Sequence, residues 1–191
     1  TDAERDTYVE RARGGLERLG RILTAMSEAA RLEESIHSAQ LAPVDLVPLL
    51  GELVTAYGDV YPDHRFKLQT PGAATITGSA DLVVQAMDKL VGNAISFAPA
   101  GSTITLSIAR RTSDWRLAVS NPGPLLPDAL RSKLFEPMVS LRESREHDAV
   151  HLGLGLHIVR LVAEALGGRA SAANLSDGSG VAVYMDLPAT S

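Results

Sequence analysis

Residues 150–168 read VHLGLGLHIVRLVAEALGG, and the placing of glycine in that stretch decides how the rest of the chain is read. Gly153 and Gly155 stand at the mouth of a helical pattern whose buried side is Leu154, Leu156, Ile158, Val159 and Val162. Gly167 and Gly168 stand where that pattern stops. Glycine inside a helix costs about 1 kcal/mol relative to alanine, so at a first turn it signals a positive φ or a close approach of backbone to a neighbour. Free amides at a helix start, with the helix dipole behind them, form a cradle for phosphate. Plain punctuation between loop and helix is the competing reading, and it suits the C-terminal pair, which is expected to be a C-cap. The helix is expected to begin at Gly153 or just after it.

Upstream, a helix is expected from an N-cap at Ser79 to about Phe97. It carries MDKLVGNAISFAP, in which Lys89, Asn93 and Ser96 are spaced i, i+4, i+7 and share one face, while Leu90, Val91, Ala94 and Phe97 fill the others. An amide on such a helix needs a partner, either in the core or in a ligand. Between the two helices, AVSNPGPLLP places Asn121 at a strand end, before a rigid Pro122-Gly123-Pro124 turn that fixes where its side chain points. A turn-forming asparagine with no further role would look the same.

The flanking segments set the frame. STITLSIAR and WRLAVSN alternate as two strands joined by RTSD, and RASAANLSDGSGVAVYMDLP reads as a final hairpin. FKLQT and ATIT are expected to form a strand pair, and DALRSKLF a short helix. Pro43 and Pro48 mark a break, followed by a short strand, a helix and an extended segment in VDLVPLLGELVTAYGDVYPDHRF. Before the break, residues 5–36 form a proline-free helical pattern with a narrow seam of Ala12, Leu16, Leu19, Leu23, Met26 and Ala30, the signature of a helix that packs on other helices. The fold class is therefore α+β, a sandwich of a mixed sheet with helices on one face, preceded by one long bundle-type helix over residues 1–42, with the main domain over 43–191.

A length of 191 residues with 45% hydrophobic positions supports one main core. The net charge of -5 offers no basic footprint for nucleic acid or an anionic membrane surface. The absence of cysteine excludes disulfides and thiolate metal sites. No apolar run approaches a membrane span and the N-terminus does not resemble a signal peptide.

The three glycine- and asparagine-bearing pieces, in this order, resemble the catalytic and ATP-binding domain of sensor histidine kinases, in the superfamily that also holds the Hsp90, gyrase B and MutL ATPases. VGNA falls on that family's N box, SNPGP on its first glycine box, LFEPM at 134–138 on its F box, GLGL at 153–156 on its second glycine box, and DGSGVAVYMDLP on its last glycine-containing hairpin. The resemblance covers about residues 44–188. The preceding helix, ending AMSEAARLEESI, is similar to the second helix of the family's dimerisation and phosphotransfer hairpin. In detail the chain most resembles the kinases of proteobacterial dedicated sortase systems, where MVSLR is also familiar.

This resemblance implies transfer of the γ-phosphoryl group of ATP to a histidine on an upstream helix outside this chain, then relay to a response regulator. It implies ATP and Mg2+ as ligands, with Asn93 holding the metal. Lys89, Asn121, Gly123, Gly153, Leu154, Gly155 and Leu156 would contact the nucleotide. Such transfer needs positioning by amides, a metal and cations more than covalent help from protein. The 17 residues from Glu136 to Leu152 exceed ordinary connections and are read as an ATP lid, with Arg142 or Arg145 as a phosphate contact. The intact kinase would be a homodimer, with this chain a cytoplasmic domain tied to the inner membrane only through upstream segments.

The pattern also departs from the family. Asn121 stands where Asp usually accepts the adenine amino group, Leu125 replaces a glycine, Lys89 stands for a further Asn, and Ser96 for Lys or Arg. An amide at 121 exchanges a charge-assisted bond for a neutral one and adds a donor face that can turn toward a guanine carbonyl, so weaker ATP binding and a smaller preference for ATP over GTP than in an Asn121→Asp variant are expected. His37 lacks the context of a phosphoacceptor and is read as a surface residue, His64 as a loop residue and His157 as an exposed helix position. These substitutions leave a second class open, a degenerate ATP-binding module that senses or scaffolds without transferring phosphate.

Overall fold

The computed structural model describes residues 2–131, 133–137 and 154–190. The first of these form α1 (Asp2–Ser38), a helix free of proline. Its seam does not pack on the domain that follows: Leu16, Leu19, Leu23 and Met26 are 58–70% exposed. The helix is held at its C-terminal end, where Leu32 is buried in the core and Ile36 packs against it.

The main body is a five-stranded sheet in the order β2-β4-β5-β7-β6, with a separate pair β1-β3. Its strands are β2 (Arg65–Gln69), β4 (Thr103–Arg110), β5 (Asp114–Pro122), β6 (Arg169–Asn174) and β7 (Gly180–Pro188). β2 and β4 are parallel; β4, β5, β7 and β6 are antiparallel neighbours. The sheet is therefore mixed, as the strand and helix patterns predict. Alternation along the strands places Ile104, Leu106, Ile108, Leu117, Val119, Val183, Met185 and Leu187 inside, against α2 (Leu46–Val60), α3 (Ala80–Phe97) and α5 (Gly155–Ala165). A short α4 (Asp128–Arg131) follows β5.

Two expectations need correction. β2 and β3 (Thr75–Gly78) do not pair with each other; β3 runs antiparallel to β1 (Ala42–Asp45), and β2 joins β4. Pro71-Gly72 between them suggests a hairpin, but Phe66 and Leu68 need the inner face of the large sheet. A parallel neighbour there requires a long crossover, which α3 supplies. Pro48 does not end a segment either. It is the third residue of α2, where a helix has no use for its amide, and the Asp45 carboxylate caps the same turn by accepting from the Val47 amide at 3.1 Å.

On the outer face, Arg116 of β5 and Asp186 of β7 are cross-strand partners. Arg116 Nε and Nη2 donate to the two Asp186 carboxylate oxygens at 2.6 and 2.7 Å, and Arg169 of β6 reaches Asp186 Oδ2 at 3.2 Å. The fork on Arg116 holds the Asp186 carboxyl below the usual carboxylate range and raises the Arg116 guanidinium.

Candidate functional site

The two long α/β-domain helices that precede the site start with a side-chain cap. Asp45 caps α2, and Ser79 Oγ accepts from the Leu82 amide at 3.4 Å at the start of α3, as expected. α5 differs: Leu154 occupies its N-cap and offers no side-chain bond. Its first intrahelical bond runs from the Ile158 amide to the Leu154 carbonyl at 2.9 Å, so the amides of Gly155, Leu156 and His157 precede the hydrogen-bonded ladder. The glycine at 155 is not required by a positive φ, since none occurs there. Crowding does not require it either, since among the described residues an added Cβ would meet only the stem of Lys89, at 3.9 Å. Among those residues nothing closes the approach to these amides.

The other end of the helix answers the question posed by Gly167 and Gly168. Gly167 adopts φ +74, its amide donates to Glu164 O at 3.0 Å, and the Gly168 amide donates to Ala163 O at 2.7 Å. These are the two bonds of a Schellman C-cap, as the sequence predicts. Leu154, Leu156, Ile158, Val159 and Val162 are all buried, also as predicted.

α3 is the spine that gathers the other pieces. Lys89 lies against Gly155, Asn93 follows one turn on, and Phe97 lies a turn beyond that. The Phe97 carbonyl oxygen stands 2.6 Å from where a Cβ on Gly123 would lie, and Gly123 adopts φ +146. Only glycine lets the turn after β5 seat on the end of α3. The strip from Lys89 to Phe97 is about 12 Å long at the rise of an α-helix. One end of it meets the open amides of α5, and the other meets Asn121 and Gly123.

Along this strip the polar side chains are arranged unevenly. Asn93 is half-buried, and its side-chain amide has no hydrogen-bond partner among the described residues. Ser96 turns its hydroxyl back to the Asn93 carbonyl at 2.9 Å. Lys89 Nζ lies 3.2 Å from Glu28 Oε2 on α1. Behind the strip, the Tyr57 hydroxyl donates to Asp88 at 2.7 Å and ties α2 to α3; burial and the neighbouring carboxylate both raise the Tyr57 pKa.

Asn121 is 7% exposed, and its Nδ2 donates to the Pro122 carbonyl at 2.9 Å. A carbonyl only accepts, so the amide orientation is fixed with Oδ1 as the uncommitted atom. That disfavours the expected turn toward a guanine carbonyl, which would break the bond to Pro122. The loop after Asn121 is held by a residue that sequence reasoning missed: Asn174, at the end of β6, accepts from the Leu126 amide at 2.7 Å and donates to its carbonyl at 3.0 Å. Its only sequence signal is an amide at the end of an otherwise small-residue strand.

His157 corrects another expectation. It is half-buried, with Nδ1 3.2 Å from the Phe135 carbonyl and 3.3 Å from Arg160 Nη2, because Leu134 and Phe135 of the F box bury their side chains against the core beside α5. His37 is exposed and His64 lies in the bend before β2, as expected. Gly153, Arg142, Arg145 and the expected lid lie outside the described residues, apart from Glu136 and Pro137 at its start. Among the described residues no helix is long and apolar enough to cross a membrane.

Comparison with known proteins follows the same outline. Residues 78–191 match the family described as histidine kinase-, DNA gyrase B-, and HSP90-like ATPase. The chain is 30% identical over 172 residues to the signal transduction histidine-protein kinase BaeS of Escherichia coli K12, spanning 89% of this chain and 37% of that protein. Among solved structures, the ATP-binding domain of PrrB from Mycobacterium tuberculosis is 25% identical with a TM-score of 0.65, covering 79% of this chain and 98% of that one. The histidine kinase ThkA, solved in complex with the response regulator protein TrrA, has a TM-score of 0.71 at 21% identity, covering 91% of this chain and 49% of that one. The chain spans less than half the length of the curated sensor kinases it matches, and it belongs to the histidine kinase-, DNA gyrase B- and HSP90-like ATPase family.

Proposed function

We propose that the chain binds Mg-ATP along the α3 strip and delivers the γ-phosphoryl group to a histidine on a separate helix, for relay to a response regulator. In the transfer, the bond between the γ-phosphorus and the β–γ bridging oxygen breaks, a bond to an imidazole nitrogen forms, and ADP leaves. The observation that carries this reading is the meeting, on one face of α3, of α5 amides with no side-chain cap among the described residues, an Asn93 side chain with no partner among them, and the glycine-seated Asn121 turn.

The residues fit the ligands the family implies. The amides of Gly155, Leu156 and His157 offer donors to phosphate oxygens, with Gly153 and Leu154 leading into that turn and Arg142 or Arg145 as a further cation. Lys89 supplies positive charge beside them. Asn93 presents a hard carbonyl oxygen, suited to Mg2+ alongside phosphate oxygens and water; the metal would neutralise charge on the phosphates. Asn121 Oδ1 accepts from the adenine amino group, and Gly123 lets the turn that holds it close on α3. All these groups act by holding and orienting.

Residues 1–42 are read as the second helix of the dimerisation and phosphotransfer hairpin, supported by the exposed seam of α1, with a homodimer in the intact kinase. Residues 43–191 are read as the catalytic domain, cytoplasmic in an inner-membrane sensor kinase. Within that branch, MVSLR at 138–142 supports the sortase-system group. Fusing the chain to a helix bearing a phosphoacceptor histidine and following label from [γ-32P]ATP tests the reading. Acid-labile label on the added histidine is expected; ATP binding without any transfer would place the chain among non-catalytic modules.

A further inference from the structure

Lys89 stands between two anion positions. Its ammonium pairs with Glu28 of α1 at 3.2 Å, while its stem runs along the first turn of α5, 3.9 Å from where a Gly155 Cβ would be. Both members of the pair are about one-third exposed, 34% for Lys89 and 36% for Glu28, so the pair is neither sealed from water nor locked by packing. A lysine on a flexible stem swings readily between neighbouring acceptors. Phosphate oxygens over the α5 amides would lie within its reach and would carry more negative charge than one carboxylate.

We propose that Lys89 is exchanged between Glu28 and the nucleotide phosphates, so that nucleotide binding breaks the Glu28–Lys89 contact of α1 with α3 and that contact weakens nucleotide binding. The inference rests on the nucleotide site described above and adds a coupling to it. An ion shared in this way makes the two contacts antagonistic, and the antagonism is reciprocal: whatever affinity Glu28 removes from the nucleotide, the nucleotide removes from the α1–α3 contact. α1 keeps its anchors at Leu32 and Ile36, so the release loosens the helix above that point without detaching it.

The pair is part-exposed, so the coupling is modest. Neutralising Glu28 should tighten binding of Mg-AMPPNP about two- to fivefold, the range of an exposed ion pair. The test is a calorimetric cycle on the full chain with the parent, Glu28→Gln, Lys89→Gln and the double variant, each first checked for an unchanged Tm. Tighter binding in Glu28→Gln, weaker binding in Lys89→Gln, and no effect of Glu28→Gln once Lys89 is replaced is the expected pattern. Weaker binding in Lys89→Gln with no gain from Glu28→Gln overturns the exchange and leaves the nucleotide site standing. Unchanged binding in Lys89→Gln overturns the exchange as well, and Asn93→Ala measured alongside then shows whether the site itself has failed.

Discussion

The Asn121 side chain donates to the carbonyl of its own neighbour, Pro122, at 2.9 Å, and Oδ1 has no hydrogen bond among the described residues. In Asn121→Asp two acceptors would stand where the amide and carbonyl now meet. Losing that bond in a buried setting costs about 1–3 kcal/mol, so the variant should show a lower Tm. The parent should prefer ATP to GTP, because guanine offers a carbonyl where adenine offers an amino group. Equal affinity for the two nucleotides would show that Asn121 Oδ1 does not read the base.

Gly123→Ala should disturb both fold and site. The added Cβ meets the Phe97 carbonyl at 2.6 Å, and φ +146 is unfavourable for alanine. A loss on the order of 2 kcal/mol in chemical denaturation is expected, with weaker nucleotide binding in what remains folded. If stability is unchanged, the turn does not seat on α3 as described.

Asn174→Ala removes both bonds to Leu126 and frees the loop behind Asn121. Hydrogen exchange at the Leu126 amide should quicken, and ATP-analogue affinity should fall a few-fold through loss of preorganisation. An exchange rate at Leu126 equal to the parent's would contradict the assignment.

The Arg116–Asp186 fork gives a pH dependence with a defined sign. The Asp186 pKa is lowered on folding, chiefly by its hydrogen bonds with Arg116, so its contribution is present above the ordinary carboxylate pKa of about 3.9 and is lost as pH falls through the lower, folded value. Asp186→Asn should therefore be destabilised at pH 7, by roughly 2 kcal/mol, and approach the parent only as the pH falls through the lowered, folded value of Asp186. A difference that stays constant into acid would mean that the charge of Asp186 is not what stabilises the pair.

What was legible in the chain depended on the range of the interaction. α5, its inward face and its Schellman end follow from a 3.6-residue period closed by Gly167-Gly168, all local. The Ser79 cap and the β4–β5 hairpin are local too. β2 is different: its length and alternation were readable, but its partner was decided by where Phe66 and Leu68 could be buried, far along the sequence. The Glu28–Lys89 and Asn174–Leu126 contacts join residues 61 and 48 positions apart, and nothing local announces either. Asn93 and Asn121 could be singled out as amides in unusual places, but among the described residues one has no partner and the other is half-committed, a distinction only packing makes.

The proposed nucleotide site on α3 requires that Mg2+ be held through Asn93. Titrating the chain and its Asn93→Ala variant with AMPPNP, each with and without Mg2+, tests it most directly. The parent should bind more tightly with Mg2+, and Asn93→Ala should lose most of that enhancement while keeping its Tm, since its half-buried amide has no partner among the described residues. Equal magnesium enhancement in parent and variant would contradict the account.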